Sequence, residues 1–286
     1  LAIILPIYAF FAAALPVWFL LAPRDYLSSF MKIGVFIALI IGVFFVNPVI
    51  QFPAVTEFIH GGGPIIAGPV WPFVSITIAC GAISGFHAFI GSGTTPKMLD
   101  KWEDIRVVGF GAMLVESLVG VMALVAATAL HPADYFAINA APAVFATLGM
   151  EVVNLPQLSQ AIGIDLEGRT GGAVSLAVGM TQIFTGIPWF TGMSSYFYQF
   201  VIMFEAVFIL TAIDAGTRVA RYLIQDFVGD VVKPLKRTDW LPGTIFASAL
   251  ACFMWGYLLY TGEIGPIWAL FGVSTQLMAS IGLVIG

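Results

Sequence analysis

The chain has 286 residues, of which 60% are hydrophobic and only 9% charged, with a net charge of −5; its mean hydropathy is +1.00. A soluble domain carries about 25% charged residues, so these charges cannot cover a water-facing surface. That excludes a soluble enzyme, a disordered chain and, with only 11 Lys and Arg, a nucleic-acid-binding protein. An outer-membrane barrel, with its short alternating strands, is excluded as well. A bundle of membrane-spanning helices remains, because it satisfies its backbone hydrogen bonds inside lipid.

A span needs about 20 mostly apolar residues. The chain opens without Met in an apolar run, with no positively charged stretch or cleavage site before it. Residues 3–21 therefore read as a span and not as a signal peptide, and the abrupt start is expected of a longer protein that has lost its first part. Pro23, Arg24 and Asp25 close this span. The second span, 32–47, begins at Lys32, which can snorkel, and ends at Pro48. After a loop rich in Gly and Pro comes the third, 70–90, in a stretch without Asp, Glu, Lys or Arg between Glu57 and Lys97. The fourth, 107–130, is interrupted by Glu116. Mixed residues 131–170 lead to an apolar run, 171–190, holding Gly179, Thr181, Gln182, Gly186 and Pro188. The remaining spans are 194–213, 241–260 and 267–285. Between the first two of these, Val219, Tyr222, Leu223 and Phe227 share one helical face, with Arg218, Arg221, Gln225 and Asp226 on the other. That pattern predicts an amphipathic cytoplasmic helix over 217–237, lying in the membrane interface. Cys80 and Cys252 both sit in apolar runs and read as small buried hydrophobes.

Charge sets the sidedness, since loops rich in Lys and Arg belong in the cytoplasm. Arg24 and Lys32 follow the first span, Lys97, Lys101 and Arg106 follow the third, and five basic residues lie in 214–240. If 171–190 crossed the membrane, those five would land outside. The chain is therefore expected to have seven spans, with 131–190 an outer-side excursion containing a short or re-entrant helix, tolerable where it is buried in protein; an extra span over 135–150 would also restore the parity, but Pro142 and Asn139 disfavour it.

The third span carries Gly81, Ser84, Gly85 and His87 near mid-membrane. One reading is a broken helix whose freed carbonyl and N–H groups meet a substrate, as transporters arrange at the midplane. The other is close helix packing through small residues. His87 adds a titratable group inside a span, a functional candidate by default. Ser92, Thr94, Thr95 and Lys97 form a possible anion site or gate; Thr95 and Pro96 also read simply as the cap and first residue of a short helix, 96–105. Glu116 and Glu205 are carboxylates inside spans, costly there if ionised. Each is expected to carry protons, or else to lock helices together through hydrogen bonds. Asp214 and Thr217 read as caps of the interfacial helix.

Several strings resemble the carbon starvation protein A family of bacterial and archaeal transporters. They include residues 14–18 and 21–27 (ALPVW, LAPRDYL), 80–88 (CGAISGFHA), 91–97 (GSGTTPK), 204–206 with 210–218 (FEA, LTAIDAGTR) and 255–260 (WGYLLY). The resemblance implies uptake of peptides or pyruvate, coupled to protons or another ion and needing no further cofactor. It also implies the inverted-repeat fold of the amino acid–polyamine–organocation superfamily, with this chain supplying core helices four to ten. The expected partners are a small-molecule substrate, the bilayer of the inner membrane and the first three core helices of the same protein. Helices six and eight of that fold border the central site, which implies that His87 and Glu205 face one cavity, His87 as substrate contact and Glu205 as proton carrier. A channel or a non-transporting membrane subunit is the alternative. An intramembrane enzyme is disfavoured, since neither a metal-ligand pair nor a paired nucleophile and base is present in the sequence.

Overall fold

The computed structural model describes residues 2–74, 85–93, 95–169, 171–262 and 265–285. Among these, regular structure is entirely helical. The main helices are α1 (Ile4–Ala14), α2 (Leu21–Val46), α3 (Gly85–Gly93) and α4 (Asp104–Thr128). Four shorter ones follow, α5 (Pro132–Asn139), α6 (Pro142–Thr147), α7 (Leu155–Ile162) and α8 (Gly172–Thr185). The last are α9 (Ser194–Gly229), α10 (Leu241–Thr261) and α11 (Gly265–Ile285). Among the described residues four helices, α2, α4, α9 and α10, are long and apolar enough to cross a membrane.

Helix boundaries differ from the expected segments in four places. Within 3–21 the helix stops at Ala14, because Pro16 drives Leu15 into an extended conformation (φ −73°, ψ 154°). The next helix starts at Leu21, not at 32, and takes in Pro23, Arg24 and Asp25. Proline is tolerated there, in a first turn whose N–H groups lack helical partners anyway. The expected helix over 96–105 is only a single tight turn, Thr95–Lys97, and helical structure resumes at Asp104. The separate interfacial helix over 217–237 is replaced by the end of α9, which runs unbroken for 36 residues, roughly 54 Å at 1.5 Å per residue.

The chain divides into two compact units. One comprises Leu1–Ser28, Ser75–Gly109 and Ile209–Gly286, the other Ser29–Val74 and Phe110–Phe208. The second unit holds a hydrophobic core cluster, in which Val35 and Leu39 of α2, Ala126 of α4 and Val201 and Phe204 of α9 surround α8. Helix α8 is 14 residues long, about 21 Å, which is short of the ~30 Å hydrocarbon layer. It is buried through Ala177, Val178, Met180 and Ile183. Gly179 makes this possible, since a Cβ there would run into the Ala126 carbonyl. Asp134 of α5, 1% exposed, accepts hydrogen bonds from the backbone N–H groups of Val153, Asn154 and Leu155. It thereby caps α7 from another helix, a carboxylate at the positive end of a helix dipole. Gln51 does the converse at the end of α4, where its side-chain amide donates to the Ala129 carbonyl at 3.0 Å.

In the first unit α1 packs on α10, and α3 packs on α11.

Candidate functional site

Helix α1 ends abruptly, so its last carbonyls have no helical partners. Two arginines of α9 supply them. Arg218 donates to the carbonyls of Ala12 and, at 2.7 Å, Leu15. Arg221 donates to the Ala13 carbonyl at 2.9 Å. Both side chains are buried, as is Gln225 one turn further, whereas Leu223 and Phe227 are exposed. Three of the four residues of the expected polar face thus turn inward while Asp226 stays exposed, and the apolar face is split, with Val219 buried and Leu223 and Phe227 outside. The cations meet the negative end of a helix dipole instead of water.

Beside them lies a cluster from α1, α2 and α9. Arg24 pairs with Asp214, and its other terminal nitrogen donates to Asp25 at 2.7 Å and to Thr211 at 3.0 Å. The Tyr8 hydroxyl donates to the same Asp214 oxygen at 2.9 Å and accepts from Arg24 at 2.5 Å. The Thr211 hydroxyl donates to Asp25 at 3.2 Å. Asp214 is wholly buried, while Arg24 keeps 22% of its side chain exposed. The second Asp214 oxygen and the Arg24 Nε are buried without a hydrogen-bond partner among the described residues. A guanidinium, two carboxyl groups, a phenol and a hydroxyl thus share one network at the join of membrane-length helices. Sequence reasoning put Asp214 at a cap and Arg24 in a loop. The available signal was that the apolar run of α2 extends back to Leu21 once Pro23 is allowed in a first turn, which places Arg24 and Asp25 on a helix.

The residues singled out from sequence are distributed as follows. Gly81, Ser84 and Thr94 lie outside the described residues, so the expected helix break falls largely there. Gly85 begins α3 and is buried; a Cβ on it would strike the Thr275 carbonyl of α11. Its lack of a side chain permits this close approach of the two helices. His87, two residues on, is exposed. Ser92 bonds back to the Ala88 carbonyl at 2.8 Å. The Lys97 ammonium sits 3.5 Å from the centre of the Tyr222 ring. Ser92 and Lys97 line a cavity of about 360 Å³ with Thr95 outside its lining. Glu116 is exposed on α4. Glu205 is half-buried on α9 at a cavity of about 80 Å³ lined by Phe36, Leu39, Leu176, Met180 and Phe208. His87 belongs to the first unit and Glu205 to the second.

Comparison with known proteins gives one consistent result. The family model described as carbon starvation protein CstA matches residues 1–286. The peptide transporter CstA of Bacillus subtilis is 80% identical over 286 residues, covering 100% of this chain and 48% of that protein. The peptide transporter CstA of Helicobacter pylori is 48% identical, covering 97% of this chain and 43% of its own length. The pyruvate/proton symporter BtsT of Escherichia coli is 43% identical, over 98% of this chain and 45% of its own length. The chain thus spans about half the length of the curated relatives it matches. No solved structure matches it.

Proposed function

Because this chain belongs to the carbon starvation protein CstA family, a family of membrane transporters by the names of its members, we propose that it forms part of a secondary transporter of the cell inner membrane. That transporter takes up small carboxylates or short peptides, coupled to protons. The observation that carries this reading is the Tyr8–Arg24–Asp25–Thr211–Asp214 network. A buried carboxylate such as Asp214 on a membrane-length apolar helix, with Arg24 and Asp25 half-buried beside it, is costly and is a functional candidate by default. A network with a half-used carboxylate has room to exchange partners, which an alternating-access cycle requires. The relatives' names supply the cargo, peptides for one and pyruvate with a proton for the other.

In this reading the seven-span inverted-repeat arrangement holds, with 131–190 on the outer side and the end of α9 in the cytoplasm. Gly81, Ser84, Gly85 and His87 contribute to the substrate site. Glu205 carries the proton, supported by its position in an apolar cavity reached from α2, α4 and α8; Glu116 is a second, more exposed carrier. Glu205→Gln in the full-length protein should abolish proton-driven uptake while leaving counterflow exchange, and His87→Ala should raise the half-saturating substrate concentration. Both are read in proteoliposomes. Unchanged transport in both variants at normal expression would remove these residues from the mechanism.

A further inference from the structure

One further cavity, with a few polar side chains in a mainly apolar lining, stands apart from the network above. It lies in the first unit, between the segment that carries Ser92 and Lys97 and the last turns of α9, and Lys236 and Thr238 close it. Its volume of about 360 Å³ falls within the range of small-molecule sites. Gln225 lines it and is only 1% exposed, yet neither the nitrogen nor the oxygen of its amide has a hydrogen-bond partner among the described residues. A buried amide with both ends unmade is costly unless something else completes it. The two lysines differ. Lys236 is held by Asp230 at 2.7 Å and faces Asp226 at 4.0 Å. Lys97 rests instead on the Tyr222 ring, an attraction that a charge-assisted hydrogen bond readily outweighs.

We propose that this cavity binds the carboxylate of a small organic acid or peptide, with Lys97 and the Gln225 amide nitrogen as its donors. The choice of a carboxylate rests on the function proposed above; the site itself rests on the cavity and the unmade amide. Lys97 leaves the ring and closes on one carboxylate oxygen, while Gln225 donates to the other. The Gln225 oxygen then remains to accept. An ammonium or amide N–H of a peptide satisfies it, and a 2-oxo acid, which has no donor, does not. With the sidedness proposed above, the cavity lies on the cytoplasmic side and serves as a second station on the path.

Acetylation of Lys97 by an amine-reactive reagent, followed by mass spectrometry on the full-length protein in lipid discs, tests this without requiring transport. Alanyl-alanine or pyruvate should slow Lys97 acetylation at least fivefold, whereas alaninamide, which lacks the carboxylate, should not. Lys101 serves as the unprotected reference. Protection by the dipeptide alone assigns the site to peptides, and protection by both assigns it to carboxylates generally. Gln225→Leu should fold normally, since it replaces an unbonded amide with an apolar group, and it should lose the protection. Equal Lys97 acetylation with every compound, or protection surviving in Gln225→Leu, would overturn the proposal. A full-length protein that transports nothing would count against the proposed function and leave this result standing.

Discussion

Arg24→Met is expected to destabilise the full-length protein by about 3–5 kcal/mol, the usual cost of removing one partner from a buried ion pair. The substitution keeps the stem's volume but leaves Asp214, which is 0% exposed, with the Tyr8 hydroxyl as its remaining partner in the network and the Asp25 carboxylate nearby. The reverse change, Asp214→Leu, should cost less, because Arg24 is 22% exposed and retains Asp25 and Thr211. Combining the two should recover most of the loss, since replacing both charges removes the desolvation cost along with the attraction. Denaturation of the purified variants in micelles gives the double-mutant cycle. Strictly additive losses would show that the pair is not coupled. Proton-driven uptake should remain impaired in the double variant even where stability returns, because the restored packing carries no charge.

Asp134→Ala should cost about 3 kcal/mol. Three backbone N–H groups, those of Val153, Asn154 and Leu155, converge on this one carboxylate. Leaving each without a partner costs roughly 1 kcal/mol or more. Helix α7 has no cap of its own, since the Asn154 side chain makes no capping bond, so its first turn should loosen. Asp134→Asn retains one accepting oxygen and should lose about half as much. Hydrogen exchange at residues 153–158 reads this directly: faster exchange there in Asp134→Ala, with α8 unchanged at first. Wild-type protection of that turn in the variant would mean that the cap is dispensable.

Much of the helical architecture could be read from hydropathy. The run after Ser194, the Leu241 run and the short, glycine-containing segment that became α8 all stand out by composition. The missed features share one physical cause. Periodicity shows which residues share a face of α9 beyond Asp214, but not which face turns inward. In water the polar side would face solvent; here Arg218 and Arg221 turn inward because three carbonyls at the broken end of α1 need donors. Pro16 announced that break, but nothing local names the donors, which lie more than 200 residues away. The same holds for Arg24 and Asp214, 190 residues apart. Gly85 was legible as a special position, and its use in packing on α11 emerged only from the Thr275 carbonyl beside it. Asp134 lies in the mixed stretch 131–170, whose composition points to no role, and only the fold turns it into a cap.

The central claim, that this chain is part of a proton-coupled carrier of small carboxylates or peptides, is tested most directly by uptake into proteoliposomes. The full-length protein would be reconstituted and supplied with labelled pyruvate or a labelled dipeptide, with and without an inward proton gradient. Accumulation of either compound above equilibrium, driven by the gradient and collapsed by a protonophore, is the predicted result. Entry that merely equilibrates and ignores the gradient, or no entry of either compound, would contradict it.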